Sequence, residues 1–267
     1  MINIILPNFY FFSAINQDLM KMYKEHPEYF YSDKISFIGQ EGNYPFMYWS
    51  STFVNEGTVL CDDIDRHLKT NNFPIAFNCA NPLLTDVDFF NIAQNVALKL
   101  GENGSNNIII SSPSLLAYLK NKYPQYNFIG SEYYLASDPN LDYINDLLRI
   151  KVFFKHSEQL EKIPINKTEI VLNDPCENCA AKVHCLLKQW ENNYNFSNDN
   201  CLTHCSKKAR FLTTWEDLIA LNKKGYQFFS FNFDSVSLNN LDLIKAIYIY
   251  FFIKDEYKTN ANLYLRR

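Results

Sequence analysis

Apolar and polar positions along the chain switch repeatedly between two periods. Short β-like runs occur at Ile2–Leu6, Ile35–Gly39, Ile75–Asn78, Asn107–Ser111, Asn127–Ser131, Lys151–Phe154, Thr168–Leu172 and Gln227–Asn232, the fourth strongly apolar. Between them lie segments with helical spacing. The first is Ser13–Tyr23, with Ile15, Leu19 and Met22 on one face. Others are expected at Asp62–Asn71, from Thr85 or Asp86 to about Gly101, from Ser112 to Tyr123, at Asn140–Arg149 and from Ser157. After these come TWEDLIALNKKG and Leu238–Lys254. Local signals mark several boundaries. Ser112 with Pro113 next is a helix start. Thr213 or Thr214 starts TWEDLIALNKKG, Thr214 with Asp217 fits a capping box, and Gly225 is a stop.

Strands that alternate with helices over short connections predict a parallel sheet. Eight such units in 267 residues predict a single (β/α)8 TIM-like barrel spanning residues 1–267. The alternative is an open, doubly wound sheet. Its nucleotide-binding form is weakened because no glycine-rich turn follows the first strand. Residues 174–212 read as a cysteine-rich, metal-binding insertion after the seventh strand.

A barrel of this kind carries its chemistry at the carboxyl ends of its strands. That rule selects Asn8, Glu41, Asn78 with Asn81, Ser111 with Ser112, Ser131 with Glu132, His156, Asn173 with Asp174, and Asn232 with Asp234. For Ser112, Asp138 and Asp234 the plainer role is to cap the next helix. Amides and hydroxyls at a barrel mouth suit a polar small molecule, so Asn78, Ser131, Asn173 and Asn232 are the expected substrate-binding residues. Glu41, Glu132 and His156 are the expected acid–base groups. Among isolated cysteines, Cys79 beside a strand end is either a nucleophile or a small buried hydrophobe, and Cys61 stands alone. No nucleophile elbow, metalloprotease helix or P-loop occurs.

Composition narrows the partners. The formal charge is −4 and the densest basic cluster is Lys207-Lys208-Ala209-Arg210, which reads as a solvated turn rather than a nucleic-acid stripe. The start of the chain lacks a signal-peptide pattern and the Ile244–Ile253 run is too short to cross a bilayer. A cytoplasmic protein without membrane contact is expected. In that compartment clustered cysteines favour metal over disulfides. Five of the seven cysteines, with His184 and His204, lie in NDPCENCAAKVHCLLKQWENNYNFSNDNCLTHC. Cys176, Cys179, Cys201 and Cys205 form two close pairs able to hold an iron–sulfur cluster or a tetrahedral zinc. Cys185 is spare or replaces one of the four. Aromatics are dense, with 22 Phe and 18 Tyr. The Tyr44–Trp49 loop is a candidate docking surface for a partner subunit.

The segment IVLNDPCENCAAKVHC resembles a motif of the peptidase U32-like proteins, in which an apolar strand ends in Asn and is followed by a cysteine pair and a His. CLTHC and FLTTWEDLIALNKKGYQFFSFNFDS are similar to the later part of that family. IIISSPSLLAYLKNKYPQYNFIGS resembles its strand–SP–helix–P–strand unit. The resemblance spans roughly residues 70 to 235. It implies a TIM-like barrel whose cysteines hold a [4Fe–4S] cluster. It also implies an oxygen-independent hydroxylase or oxidoreductase acting on a small polar or aromatic substrate, for which an electron-donor protein is a candidate partner. Trp215 stands where a Pro is common in the family, and the last strand ends in Phe231-Asn232-Phe233-Asp234 rather than in a Gly–Arg pair. The alternatives are a hydrolase with a structural zinc and a non-catalytic partner subunit of a metalloenzyme.

Overall fold

In a computed structural model, residues 1–7, 9–42, 68–69, 73–81, 84–154, 160–174, 211–231 and 241–265 are described. Eight parallel strands close into a barrel: β1 (Ile2–Pro7), β2 (Ile35–Gly42), β3 (Ile75–Cys79), β4 (Asn107–Ile110), β5 (Asn127–Gly130), β6 (Arg149–Phe153), β7 (Thr168–Val171) and β10 (Phe228–Ser230). Each strand pairs with its sequence neighbour, and β10 closes the ring between β7 and β1. The open-sheet alternative is therefore excluded. Two short strands, β8 (Asn173–Asp174) and β9 (Phe211–Leu212), form a separate antiparallel pair.

The helices are α1 (Phe9–Glu25), α2 (Ile92–Gly101), α3 (Pro113–Lys122), α4 (Tyr134–Ser137), α5 (Trp215–Lys223), α6 (Leu241–Phe252) and α7 (Lys258–Tyr264). Local chemistry sets several of their ends. The Ser112 hydroxyl accepts from the Leu115 N–H, and Pro113 occupies the first turn of α3. Thr214 and Asp217 make a reciprocal capping box at α5, and Gly225, at φ +107, turns the chain after it. At the end of α2, Gly101 is required by packing, since a Cβ there would lie 2.5 Å from the Phe77 ring.

Among the described residues two expected helices differ, while those expected at Asp62–Asn71 and from Ser157 lie largely outside the described residues. The segment after Thr85 is broken: a 3-10 turn covers Asp88–Phe90, and Asn91 caps a new helix by accepting from the Gln94 N–H. Thr85 instead donates to the Asp88 carboxylate and steadies the turn. Asn140–Arg149 is not a helix. It holds a 3-10 turn at Ile144–Asp146, and Arg149 already belongs to β6. The Asp138 carboxylate takes the N–H groups of Asp142 and Tyr143, and Lys167 Nζ donates to the carbonyls of Ile144 and Leu147. Those groups are thereby drawn out of a helical ladder.

The helices bury their apolar faces on the outside of the barrel. On α1, Phe9, Phe12, Ile15, Leu19 and Met22 recur every three or four residues and join one core with Ile2, Ile4 and Leu6 of β1. The same layer holds Ile108 and Ile110 of β4, Ile150 and Val152 of β6, and Phe229 and Phe231 at β10. Asn16 is a polar knot within this layer. Its amide donates to the Pro7 carbonyl at 2.9 Å and to Gln40 Oε1 at 2.8 Å, and it accepts from the Tyr248 hydroxyl at 2.6 Å. The knot holds Gln40 on the outer face of β2, which turns the neighbouring Glu41 inward. Among the described residues, no helix is long and apolar enough to cross a membrane.

Candidate active site

Side chains of paired residues in parallel strands share a face, and so do residues two apart on one strand. Register then traces the barrel lining. Glu41 pairs with Ala76, and Asn78, two residues on, pairs with Ile109. Ile109 pairs with Ile129, and Ile129 with Arg149. Lys151 pairs with Glu169, and Glu169 with Phe228. Ser230 pairs with Ile5, Ile5 with Gly39, and Gly39 leads back to Glu41. Ala76, Ala80, Ile109 and Ile129 form a small apolar cluster separate from the outer core. The opposite side of the lining is polar and charged.

Two ion pairs occupy that side. Lys151 Nζ lies 2.6 Å from Glu41 Oε1, with both side chains under a tenth exposed. Arg149 Nε lies 2.9 Å from Glu169 Oε2, and its guanidinium sits 4.7 Å from the centre of the Phe228 ring. β2 and β6 lie on opposite sides of the ring of strands. The Lys151–Glu41 bond therefore spans the barrel.

Burial dominates the electrostatics. It pushes the Glu41 carboxyl up to about 8, against the pull of the Lys151 ammonium, and the negative charges of Glu169 and Glu132 add to the rise. Lys151 moves up as well, because the attraction of Glu41, Glu132 and Glu169 outweighs its own desolvation. The carboxylates thus favour the charged ammonium, while burial favours the protonated form of Glu41. A carboxyl of that affinity suits general acid–base work. A lysine held protonated does not suit nucleophilic attack.

The expected site residues divide as follows. Glu41 lies within β2 rather than after it, and Asn78 lies within β3. Glu132 follows β5, half-buried, and acts on both Glu41 and Lys151. The two expected carboxyls thus belong to one cluster, with Lys151 as Glu41's direct partner. Asn78 is buried, and its Oδ1 accepts from the Ala80 N–H at 3.1 Å. Ser131 is fully buried, and its Oγ accepts from the Tyr133 N–H at 3.2 Å. Both shape the turns just past their strands. Ser111 donates to the Asn81 carbonyl and stitches the ends of β3 and β4 together. Asn173 pairs with Leu212 in the β8–β9 ladder, half-buried and directly beyond β7.

Cys79 faces the outer core, with its thiol pushed well up by burial. It is the small buried hydrophobe of the two readings, because a nucleophile needs the thiolate. Asn8, His156, Asn232, Asp234, Cys61, the Tyr44–Trp49 loop and the expected ligands Cys176, Cys179, Cys201 and Cys205 lie outside the described residues. Among the described residues, no group of three or more His, Cys, Asp or Glu is placed to hold a metal.

The residues not foreseen are Lys151, Arg149, Glu169 and Ser230. A signal existed for the first two: in RIKVF, Arg149 and Lys151 alternate with Ile150 and Val152. In a barrel strand whose apolar residues face the helices, that alternation aims the charges inward. No family model matches the chain, and no curated protein matches it.

Proposed function

We propose that the chain is a metal-dependent TIM-barrel enzyme acting on a small polar or aromatic substrate, of the oxygen-independent hydroxylase or oxidoreductase type suggested by its U32-like motifs. The observation that carries this reading is the antiparallel pairing of Asn173 with Leu212 and of Asp174 with Phe211. The Thr213 N–H also donates to the Leu172 carbonyl at 2.8 Å. Together these bonds root both ends of the cysteine-rich segment at the carboxyl end of β7, where barrel enzymes carry out chemistry.

The donor set fits a cluster. Cys176, Cys179, Cys201 and Cys205 provide four thiolates, the number a [4Fe–4S] centre requires. With all four thiolates bound, such a cluster would supply electron transfer; with one of them released it would offer an open iron to substrate. The barrel supplies the rest: Glu41 exchanges a proton, Lys151 fixes the Glu41 carboxyl, and Asn78, Ser131 and Asn173 shape the mouth.

Anaerobic purification with iron, acid-labile sulfide and zinc analysis tests the proposal. Iron and sulfide in about fourfold excess over protein are expected, with both lost when Cys176 and Cys179 are changed to Ser. One zinc per chain without sulfide would overturn the cluster and favour a hydrolase with a structural zinc.

A further inference from the structure

We infer that the barrel interior beneath the mouth is a binding subsite for a small cationic hydrogen-bond donor, the ammonium or protonated primary-amine class, held by Glu41, Glu169 and Ser230. The inference rests on the reading of the barrel mouth as the substrate's way in. Glu41 Oε2, Glu169 Oε1 and Ser230 Oγ are buried and have no hydrogen-bond partner among the described residues. Glu41 is 6% exposed, and Glu169 and Ser230 are fully buried. Buried oxygens of this kind are costly unless a donor meets them. All three lie on the contiguous arc β7–β10–β1–β2 of the lining. Glu169 acts electrostatically on Glu41, and Ser230 lies on a strand between theirs, so the three face the interior from one side of the ring.

The charges around that space favour a cation. Facing it are Lys151 and Arg149 from β6, Glu169 from β7, Glu41 from β2, and Glu132 from the turn after β5. The lining residues of β1, β3, β4 and β10 add no ionisable side chain. Among the described residues, three carboxyls face two cations, which leaves one negative charge uncompensated when all are ionised. In the empty barrel a proton on Glu41 supplies the balance. A bound ammonium supplies it equally well and donates N–H bonds to the three oxygens, so the ligand and the proton compete. An amine group of a polar substrate would thus be anchored below the mouth.

Methylammonium chloride is the probe, with tetramethylammonium chloride and sodium chloride at equal ionic strength as controls. Tetramethylammonium carries the charge without N–H donors. Thermal melting should show stabilisation by methylammonium alone, stronger above about pH 8 than near pH 6, where the proton competes. Calorimetry in two buffers of different protonation enthalpy should detect proton release on binding near neutral pH. Glu41→Gln should weaken binding at least about tenfold, as expected for loss of a charge-assisted hydrogen bond. Ser230→Ala removes one unpartnered oxygen without touching charge and should weaken binding several-fold, which keeps the test valid if Glu41→Gln misfolds. Equal responses to the three salts, or methylammonium binding unchanged in both variants, would overturn the inference. So would a crystal grown with methylammonium that shows only ordered water at the three oxygens. Metal content measured on the same preparations separates the two proposals. Cysteine variants that lose iron yet keep amine binding leave this one standing, and iron-loaded protein blind to methylammonium removes it.

Discussion

The two faces of the barrel wall are made by the same strands and obey different physics. In β6, Ile150 and Val152 point outward into an apolar layer, while Arg149 and Lys151 point inward into ion pairs. The outer face is closed by aromatic packing. Phe231 lies 5.2 Å from Phe251 and 5.9 Å from Phe252, both nearly edge-on, and Trp215 packs edge-on to Phe251 at 5.7 Å. Among the described residues, the inner face leaves buried oxygens of Glu41, Glu169 and Ser230 without hydrogen-bond partners. Burial of apolar area stabilises the fold without regard to direction. Buried charges contribute little net stability but fix geometry and proton affinity. The difference places the apolar packing outside the barrel and the buried titratable groups inside it.

The comparison breaks most visibly at the outer face. Phe229→Ala should destabilise the fold by about 3–5 kcal/mol in chemical denaturation, since it empties a fully buried ring site. The loss should be the same at pH 6 and at pH 9. A strong pH dependence would mean the outer layer is coupled to the charges.

A somewhat smaller and pH-dependent effect belongs to the inner face. Lys151→Met should cost about 3 kcal/mol at alkaline pH, where it strands an ionised Glu41, and less at acidic pH, where Glu41 takes up a proton. The sign for the unaltered chain follows from linkage. Burial pushes the folded Glu41 carboxyl up to about 8 from an ordinary value of 4.5. The folded state therefore holds the proton through that window, and stability falls as pH rises across it. The slope for one such group is at most about 1.4 kcal/mol per pH unit. Glu41→Gln should flatten it. An unchanged profile in that variant would show that another group titrates.

The smallest expected effect sharpens the contrast by touching neither face. Thr214→Ala removes the reciprocal cap of α5 and should cost about 1 kcal/mol at any pH. A loss as large as that of Phe229→Ala would mean that the cap also holds the root of the cysteine segment through its neighbour Thr213.

The strands, the parallel alternation and the caps at Ser112 and Thr214 were legible in the sequence because their causes are local. Apolar runs of four or five residues fill a strand buried on both sides, and a side-chain oxygen at a helix start serves N–H groups within three residues of it. The Asn140–Arg149 segment misled because its leucines and isoleucine do repeat with helical spacing. Leu141 instead adopts φ 59, the carbonyls of Ile144 and Leu147 go to Lys167, and Arg149 is drawn into β6 beside Glu169. Each of those partners is distant in sequence or set by the barrel's closure.

The same distinction governs the candidate site. The sequence by itself placed Glu41, Asn78, Ser131, Glu132 and Asn173 toward one end of the strands, because strand direction and the rule for carboxyl ends need only the order of elements. It did not join Glu41 to Lys151, which lies 110 residues further along the chain. That pairing exists only because β2 and β6 face one another across a closed barrel. Closure also removed the water that would have kept Glu41 an ordinary carboxylate, so the proton affinity of the site, like its charge balance, was decided by the tertiary structure.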